Sequence, residues 1–332
     1  MKFDIIVSNP PYNKDIYLMF ITRLFDMLKD TGVMVQITPA KFYAKGGEEN
    51  ENFRKLIVSH ICNIHLYKDC TDIFDIMERG GIAYYDVFKS NTFDVKNIYN
   101  HSKAPALDDY IGGVNPYVVI HDEKPLQLMR RDIWHIIKHC RTLAQSLLFY
   151  DFDFKYGYYC TDRFHGHSIN SNEKHYVLIS SSKSNTNSDK YITESELNTV
   201  ANIDKYKCII HEAIGSGKGL GINKSGTTSV IKPIWYVKPN QIPKGCYTIL
   251  RFCNTEIEAQ SFCSYMNSQL INFIILNCLV SDRSNDRETF RLVPSLPEGH
   301  YFDYIYTNDE IFDIFKLGDY EKNMITSLIK TR

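Results

Sequence analysis

The stretch Phe3-Asp4-Ile5-Ile6-Val7-Ser8-Asn9-Pro10-Pro11-Tyr12 decides how the rest of this chain is read. An apolar run of strand length ends in Asn and two consecutive prolines. Proline fixes φ and lacks an N–H, so this loop can neither fold back into helix nor pair as a central strand. Carbonyl oxygens and the Asn9 amide are left to accept hydrogen bonds, with the Tyr12 ring beside them. A planar amine, such as the exocyclic amine of a nucleobase, suits that arrangement. A strand closed by a plain proline turn is the simpler alternative for Pro-Pro alone.

Working outward, Tyr17, Phe20, Ile21, Leu24, Phe25 and Leu28 recur at helical spacing. They predict one buried helical face, stopped by Gly32 in the C′ position. Val33-Met34-Val35-Gln36-Ile37 predicts a buried parallel strand that ends at Thr38-Pro39. A helix around 52–58, a strand over 61–66 and a strand over 82–88 follow. This alternation predicts an α/β fold with a parallel sheet. Residues 91–120 carry no clear pattern, and the spacing predicts a connecting helix over 124–140. From Tyr150 the texture changes to short strands at 175–180, 206–211, 229–237 and 246–252. A polar loop over 181–189 separates two of them, and a helical block over 256–279 comes last.

The string Asn9-Pro10-Pro11-Tyr12, placed between a strand and an amphipathic helix, resembles the catalytic motif of N6-adenine DNA methyltransferases of restriction–modification systems. That motif is written (Asp/Asn/Ser)-Pro-Pro-(Tyr/Phe). Ile37-Thr38-Pro39-Ala40-Lys41-Phe42 is similar to the family's next strand and Pro-containing loop. Gly80-Gly81-Ile82-Ala83-Tyr84-Tyr85 is similar to its late sheet hairpin. The stretch from Thr248 through Arg287-Glu288-Thr289-Phe290-Arg291-Leu292-Val293-Pro294 resembles the recognition region of its type II members.

The resemblance implies a partial Rossmann-like methyltransferase sheet, the C-terminal part of a catalytic domain, over 1–120. A connecting helix over 121–150, a mixed α+β target-recognition domain over 151–300 and a C-terminal helical segment over 301–332 would follow. It also implies site-specific N6 methylation of adenine, with S-adenosylmethionine as methyl donor and a flipped adenine in double-stranded DNA as substrate. Asn9 and Pro10 would grip the amine in the loop that Pro11 completes, Tyr12 would stack on the base, and Phe74 matches the position of a second, opposing ring.

In that family a glycine-rich cofactor motif comes first, and none precedes Asn9 here. Three readings stand: a second polypeptide supplies the cofactor half, the frame is truncated, or the chain is a non-catalytic DNA-binding recognition module or remnant. Gly215-Ser216-Gly217 after Ile209-Ile210-His211 resembles the cofactor loop of permuted enzymes. Loop or hairpin material follows it, however, where a helix should supply amide donors. A basic DNA-contacting loop and a plain hairpin are the alternatives there. The missing strands predict an unpaired apolar edge beside residues 3–7.

Composition narrows the classes further. A chain of 332 residues can bury one large core or two moderate ones. Aromatics at 13% leave rings to spare for stacking on bases. The net charge of −1 gives no overall pull toward nucleic acid. Lys205, Lys207, Lys218, Lys224, Lys232, Lys238, Lys244 and Arg251 nevertheless face a single acid, Glu212, which suits either a phosphate-facing patch or a solvated face. Lys218, Lys224 and Lys232, with Arg283 and Arg287, are the candidate DNA contacts. Nine cysteines without a Cys-x-x-Cys pair, and no secretory signal, read as reduced thiols of a cytoplasmic protein. Scattered histidines such as His60, His65, His121 and His135 have no metal spacing, so no metal is expected. The longest apolar run, 271–280, contains Asn272 and Asn277 and is too short for a bilayer. Methylation of another planar amide, such as a glutamine side chain, is a third reading of the motif.

Overall fold

A computed structural model describes residues 1–330 apart from 14, 44, 46, 68–69, 71–72, 75–77, 79–80, 91–96, 102–116, 121–126, 145, 169–172, 181–189, 213–229 and 279–286. The chain divides into two units, one built on Met1–His135 and one on Ile136–Asn277 with Arg283–Arg332.

The first unit follows the predicted alternation: β1 (Phe3–Ser8), α1 (Ile16–Asp26), β2 (Leu28–Pro39), α2 (Glu48–Ile57), β3 (Ile61–Tyr67), β4 (Ile82–Phe88) and β5 (Asn97–Asn100). The sheet order is β1-β2-β4-β3-β5. Strands β1 and β2 pair in parallel, as do β3 and β5, but β4 runs antiparallel to both its neighbours. The sheet is therefore mixed, which corrects the expectation of a parallel one. An apolar run reads alike in either direction, so periodicity carries no strand polarity.

Gly32 also has a different role from the one its spacing suggests. Helix α1 ends at Asp26, and Leu28 already belongs to β2, paired with Phe3. The register then jumps, so that Ile5 faces Val33. Gly32 lies in this irregularity, where an added Cβ would stand 2.8 Å from Leu28 Cγ and 3.0 Å from the Asp4 carbonyl. Close approach, not a helix end, selects glycine here.

Helices α1 and α2 pack on one face of the sheet in a single core. Tyr17, Ile21, Phe42, Ile57, Ile61, Ile64, Tyr85 and Val87 are fully buried in it. Each such side chain contributes about 1.5–3 kcal/mol of apolar burial. On the opposite face of β1, Ile5 is 69% and Val7 73% exposed. Phe20 of α1, expected in the core, is 43% exposed. A short hairpin, β6 (Tyr117–Ile120) and β7 (Gln127–Arg130), precedes α3 (Arg131–Leu143). The predicted connecting helix thus starts later, because β7 occupies 127–130.

The second unit holds β8 (Lys155–Tyr156), β9 (His175–Ile179), β10 (Tyr191–Thr193), β11 (Tyr206–His211), β12 (Trp235–Val237), β13 (Gln241–Pro243) and β14 (Tyr247–Cys253). They form two small sheets, β10-β9-β13 and β12-β11-β14-β8, around a shared core that includes Tyr159, Leu178, Ile209 and Ile249. Helix α4 (Glu256–Asn267) starts under a Thr255 cap and stops at Ser268, and α5 (Gln269–Cys278) continues the block. Helices α6 (Asn308–Ile314) and α7 (Asp319–Leu328) follow. Thr307 and Glu310 close a reciprocal capping box on α6. Among the described residues no helix is long and apolar enough to cross a membrane.

Candidate active site

Strand direction gathers the site. Strands β1, β2, β3 and β5 all run the same way, so the segments after β1, β2 and β3 and the entry into β4 share one rim of the sheet. In open α/β sheets that carboxyl rim is where ligands bind. The loop Asn9-Pro10-Pro11-Tyr12 leaves β1 at this rim. Just beyond β2, the Ala40 N–H donates to the Gly81 carbonyl at 2.9 Å, tying the end of β2 to the start of β4.

The loop is anchored at its entrance. Ser8 Oγ donates to Gln36 Oε1 at 2.5 Å, joining the last residue of β1 to β2. Gln36 is fully buried, and its Nε2 has no hydrogen-bond partner among the described residues. Asn9 is exposed, Pro10 buried, Pro11 exposed and Tyr12 partly buried. No hydrogen bond within the described residues engages the Asn9 side chain or the Pro10 carbonyl. Two acceptors therefore stand open on a loop whose φ angles the prolines fix.

Tyr12 leans back over β2, its hydroxyl 3.4 Å from the Ile37 carbonyl that accepts from it. Burial, then the charge of Glu78 and the Cys70 thiol, push its pKa up to about 12. The ring is thus a neutral, half-sheltered surface. Phe74, partly buried, is held by its N–H donating to the Cys70 carbonyl at 2.8 Å. Glu78 and Cys70 therefore lie near Tyr12, while no ring contact joins Tyr12 to Phe74 among the described residues.

Beneath the loop lies a polar layer that periodicity does not reveal. Asp15, just before α1, pairs with Lys45 and leaves its other carboxylate oxygen buried without a partner among the described residues. Tyr17 is fully buried, its hydroxyl is unpartnered among the described residues, and burial drives its pKa far up. Lys41 pairs with Glu78 at 3.8 Å and lies 6.0 Å from the Tyr17 ring centre. Arg54 of α2 donates to the carbonyls of Phe42 and Lys45, each at 2.7 Å.

Residues 12–74 match the Eco57I restriction-modification methylase family. The match begins at Tyr12 of the loop and ends at Phe74. No curated protein matches the chain. Among solved structures, the M protein of the type I restriction enzyme EcoKI aligns at 17% identity over 30% of this chain and 26% of its own, with a TM-score of 0.25. The type IIG restriction endonuclease BpuSI aligns at 10% identity over 98% of this chain and 54% of its own, with a TM-score of 0.30. The ATP-dependent type ISP restriction-modification enzyme LlaBIII bound to DNA aligns at 11% identity over 85% and 28%, with a TM-score of 0.36. This chain spans between about a quarter and about half the length of these proteins.

The described residues do not fit the whole of S-adenosylmethionine, the donor that the resemblance implies. A cradle for it needs backbone amides at a helix N-terminus. Here α1 opens behind two prolines with Asp15 tied to Lys45, and α2 opens on Glu48, Glu49 and Glu51. The loop offers open hydrogen-bond acceptors, and the described residues offer no donor cradle. Gly215 and Gly217, the sequence candidates for that cradle, lie outside the described residues.

In the second unit the basic stretch is less uniform than its composition suggests. Lys207 is fully buried and donates to the carbonyls of Ile203, at 2.8 Å, and Lys238, at 3.3 Å. Burial lowers its pKa to about 7. Arg251 pairs with Glu258 at 3.1 Å and lies over the Phe262 and Phe302 rings, and Lys238 stands 3.8 Å from Glu256. Lys207 at least cannot belong to a phosphate-facing patch. Lys232 is partly exposed and makes no ion pair among the described residues. Arg287 is exposed, its guanidinium 4.8 Å from the Phe149 ring centre. Lys218, Lys224 and Arg283 lie outside the described residues.

Proposed function

We propose that this chain carries the amine-gripping half of an N6-adenine DNA methyltransferase of a restriction–modification system. The observation that carries the reading is the loop itself: two unengaged acceptors, Asn9 Oδ1 and the Pro10 carbonyl, on a proline-stiffened exit from β1, beside the Tyr12 ring. The N6 lone pair of adenine is delocalised into the ring, which makes that nitrogen a poor nucleophile. Two acceptors that hold its hydrogens favour a more tetrahedral nitrogen and orient its lone pair. Tyr12, kept neutral, offers its face to a base turned out of the duplex, and Phe74 is the second ring on the same rim. S-adenosylmethionine supplies the methyl group in such a reaction.

The second unit would read the DNA site, with Lys232 and Arg287 as described contacts and Lys218, Lys224 and Arg283 beside them in sequence. Such an enzyme works in the cytoplasm. A recognition module that binds DNA without methylating it is the second reading.

Nucleoside mass spectrometry of DNA from cells expressing the protein in its native genomic context tests the proposal. N6-methyladenine above the host background supports it. A modified cytosine, or no modified base, overturns it.

A further inference from the structure

Just inside the rim, the register sets Ser8, Gln36 and Tyr85 side by side on β1, β2 and β4. Tyr17 of α1 and Tyr43, just after β2, belong to the same core. Phe42 and Phe53 link the three tyrosine rings. The Tyr17 ring centre lies 6.4 Å from Phe53, and Phe42 lies 4.6, 5.2 and 5.7 Å from Tyr43, Phe53 and Tyr85. Gln36, Tyr17, Tyr43 and Tyr85 are at most 4% exposed. Yet Gln36 Nε2 and the three hydroxyls have no hydrogen-bond partner among the described residues, and neither has the buried Asp15 Oδ1. The Thr38 hydroxyl near Tyr85 donates instead to the Pro39 carbonyl, at 3.3 Å. The Tyr17 hydroxyl is within electrostatic reach of both Asp15 and Tyr85, and Tyr43 is within reach of Tyr85.

Polar atoms left dry in a core are costly, and folded proteins keep few of them. Here they gather in one place, and their chemistry selects what satisfies them. Ser8 occupies Gln36 Oε1, so the amide offers the cluster only its Nε2, a donor. Asp15 Oδ1 only accepts. Burial holds the three phenols neutral, so each can donate and accept. A metal cation would meet the Gln36 N–H, and an anion would meet the Asp15 carboxylate. Water bonds to all of them, and a buried water needs two to four polar partners.

We infer that this cluster binds ordered water, which bridges Gln36 Nε2 to Asp15 Oδ1 through the hydroxyls of Tyr17 and Tyr85. The bridge joins the two ends of the Asn9–Tyr12 loop from beneath. Ser8 and Gln36 hold the entrance of that loop, and Asp15 with Lys45 holds its exit. Internal water would tie one anchor to the other and so fix where Asn9 and Pro10 present their acceptors. That positioning role rests on the methyltransferase reading; the water itself rests on the polar atoms alone.

The test is a crystal structure of the full chain at a resolution that shows water, with urea midpoints of Tyr17→Phe, Tyr85→Phe and the double variant. The inference predicts ordered water within about 3.2 Å of Gln36 Nε2, Asp15 Oδ1 and the Tyr17 and Tyr85 hydroxyls. Each phenylalanine variant lowers the midpoint, and the double variant loses less than the sum, because the two hydroxyls share the water. A cluster closed by direct side-chain bonds overturns the inference. So do strictly additive losses, and a midpoint that rises in either variant, since removing a dry hydroxyl relieves its burial. In an active enzyme the double variant slows methyl transfer by about tenfold or more at unchanged DNA affinity. Unchanged turnover there overturns the positioning role. Water in place in a protein that modifies no adenine refutes the methyltransferase reading and leaves the bridge standing.

Discussion

Ser8 Oγ and Gln36 Oε1 lie 2.5 Å apart, and this one bond fixes the end of β1 against β2 immediately before Asn9. Gln36 is fully buried, so its oxygen has no water to turn to when Ser8 is truncated. Ser8→Ala should destabilise the chain by about 1–3 kcal/mol. Adding Gln36→Leu should recover part of that loss, because no orphaned acceptor is then left. Urea midpoints of the two single variants and the double variant check this coupling.

Tyr12 should act through its ring and not its hydroxyl. Its pKa is pushed up to about 12, so the phenol stays neutral across the working range. Tyr12→Phe should hold a 2-aminopurine-substituted duplex within about twofold of the parent, and Tyr12→Ala should weaken it by about tenfold, the scale of one lost base stack. Fluorescence titration from pH 7 to 9.5 should show no inflection in the parent. A Tyr12→Phe loss equal to that of alanine would contradict the stacking role.

Gly32 distinguishes two accounts of the α1–β2 junction. As a helix C′ residue it would accept Asn nearly as well as Gly. As a close-approach residue in β2 it should accept neither Ala nor Asn, since the Asp4 carbonyl stands 3.0 Å from the Cβ position. Both substitutions should cost about 1–3 kcal/mol, typical of overpacking. Equal losses in denaturant unfolding support the structure.

Lys207 should give the second unit a stability that rises with pH. Its folded pKa of about 7 lies well below the ordinary lysine value of 10.5, because burial disfavours the charge. Between those values the unfolded chain holds a proton that the folded chain has released. Unfolding free energy therefore climbs toward alkaline pH, and the penalty is largest below pH 7. The slope from this residue approaches about 1.4 kcal/mol per pH unit. Urea midpoints between pH 7.5 and 9.5 should rise in the parent and stay flatter in Lys207→Met.

The alternation of strands and helices in the first 90 residues was legible because each element carries a clean period. The run 82–88 was placed to the residue as β4. Its antiparallel direction was not legible, since an apolar run has no strand polarity in its pattern. The apolar edge at Phe3–Val7 followed from what the resemblance led one to expect on the far side of β1, and the exposure of Ile5 and Val7 agrees with it. Phe20 misled, because its spacing matches the core face and yet it is 43% exposed. The polar layer of Asp15, Tyr17, Lys45 and Arg54 depends on contacts between separate elements, which no local period records. Burial of Lys207 escaped composition for a similar reason: a lysine counts as surface charge until the carbonyls of Ile203 and Lys238 are seen to enclose it.

The central claim is that Asn9 grips an adenine amine. The most direct measurement is transfer of labelled methyl from S-adenosylmethionine to duplex DNA by the protein expressed in its native genomic context, comparing the parent with Asn9→Ala and resolving the product as nucleosides. The account predicts N6-methyladenine from the parent and a loss of about a hundredfold or more in Asn9→Ala, with its circular dichroism unchanged. An Asn9→Ala protein that methylates adenine at the parental rate would contradict it.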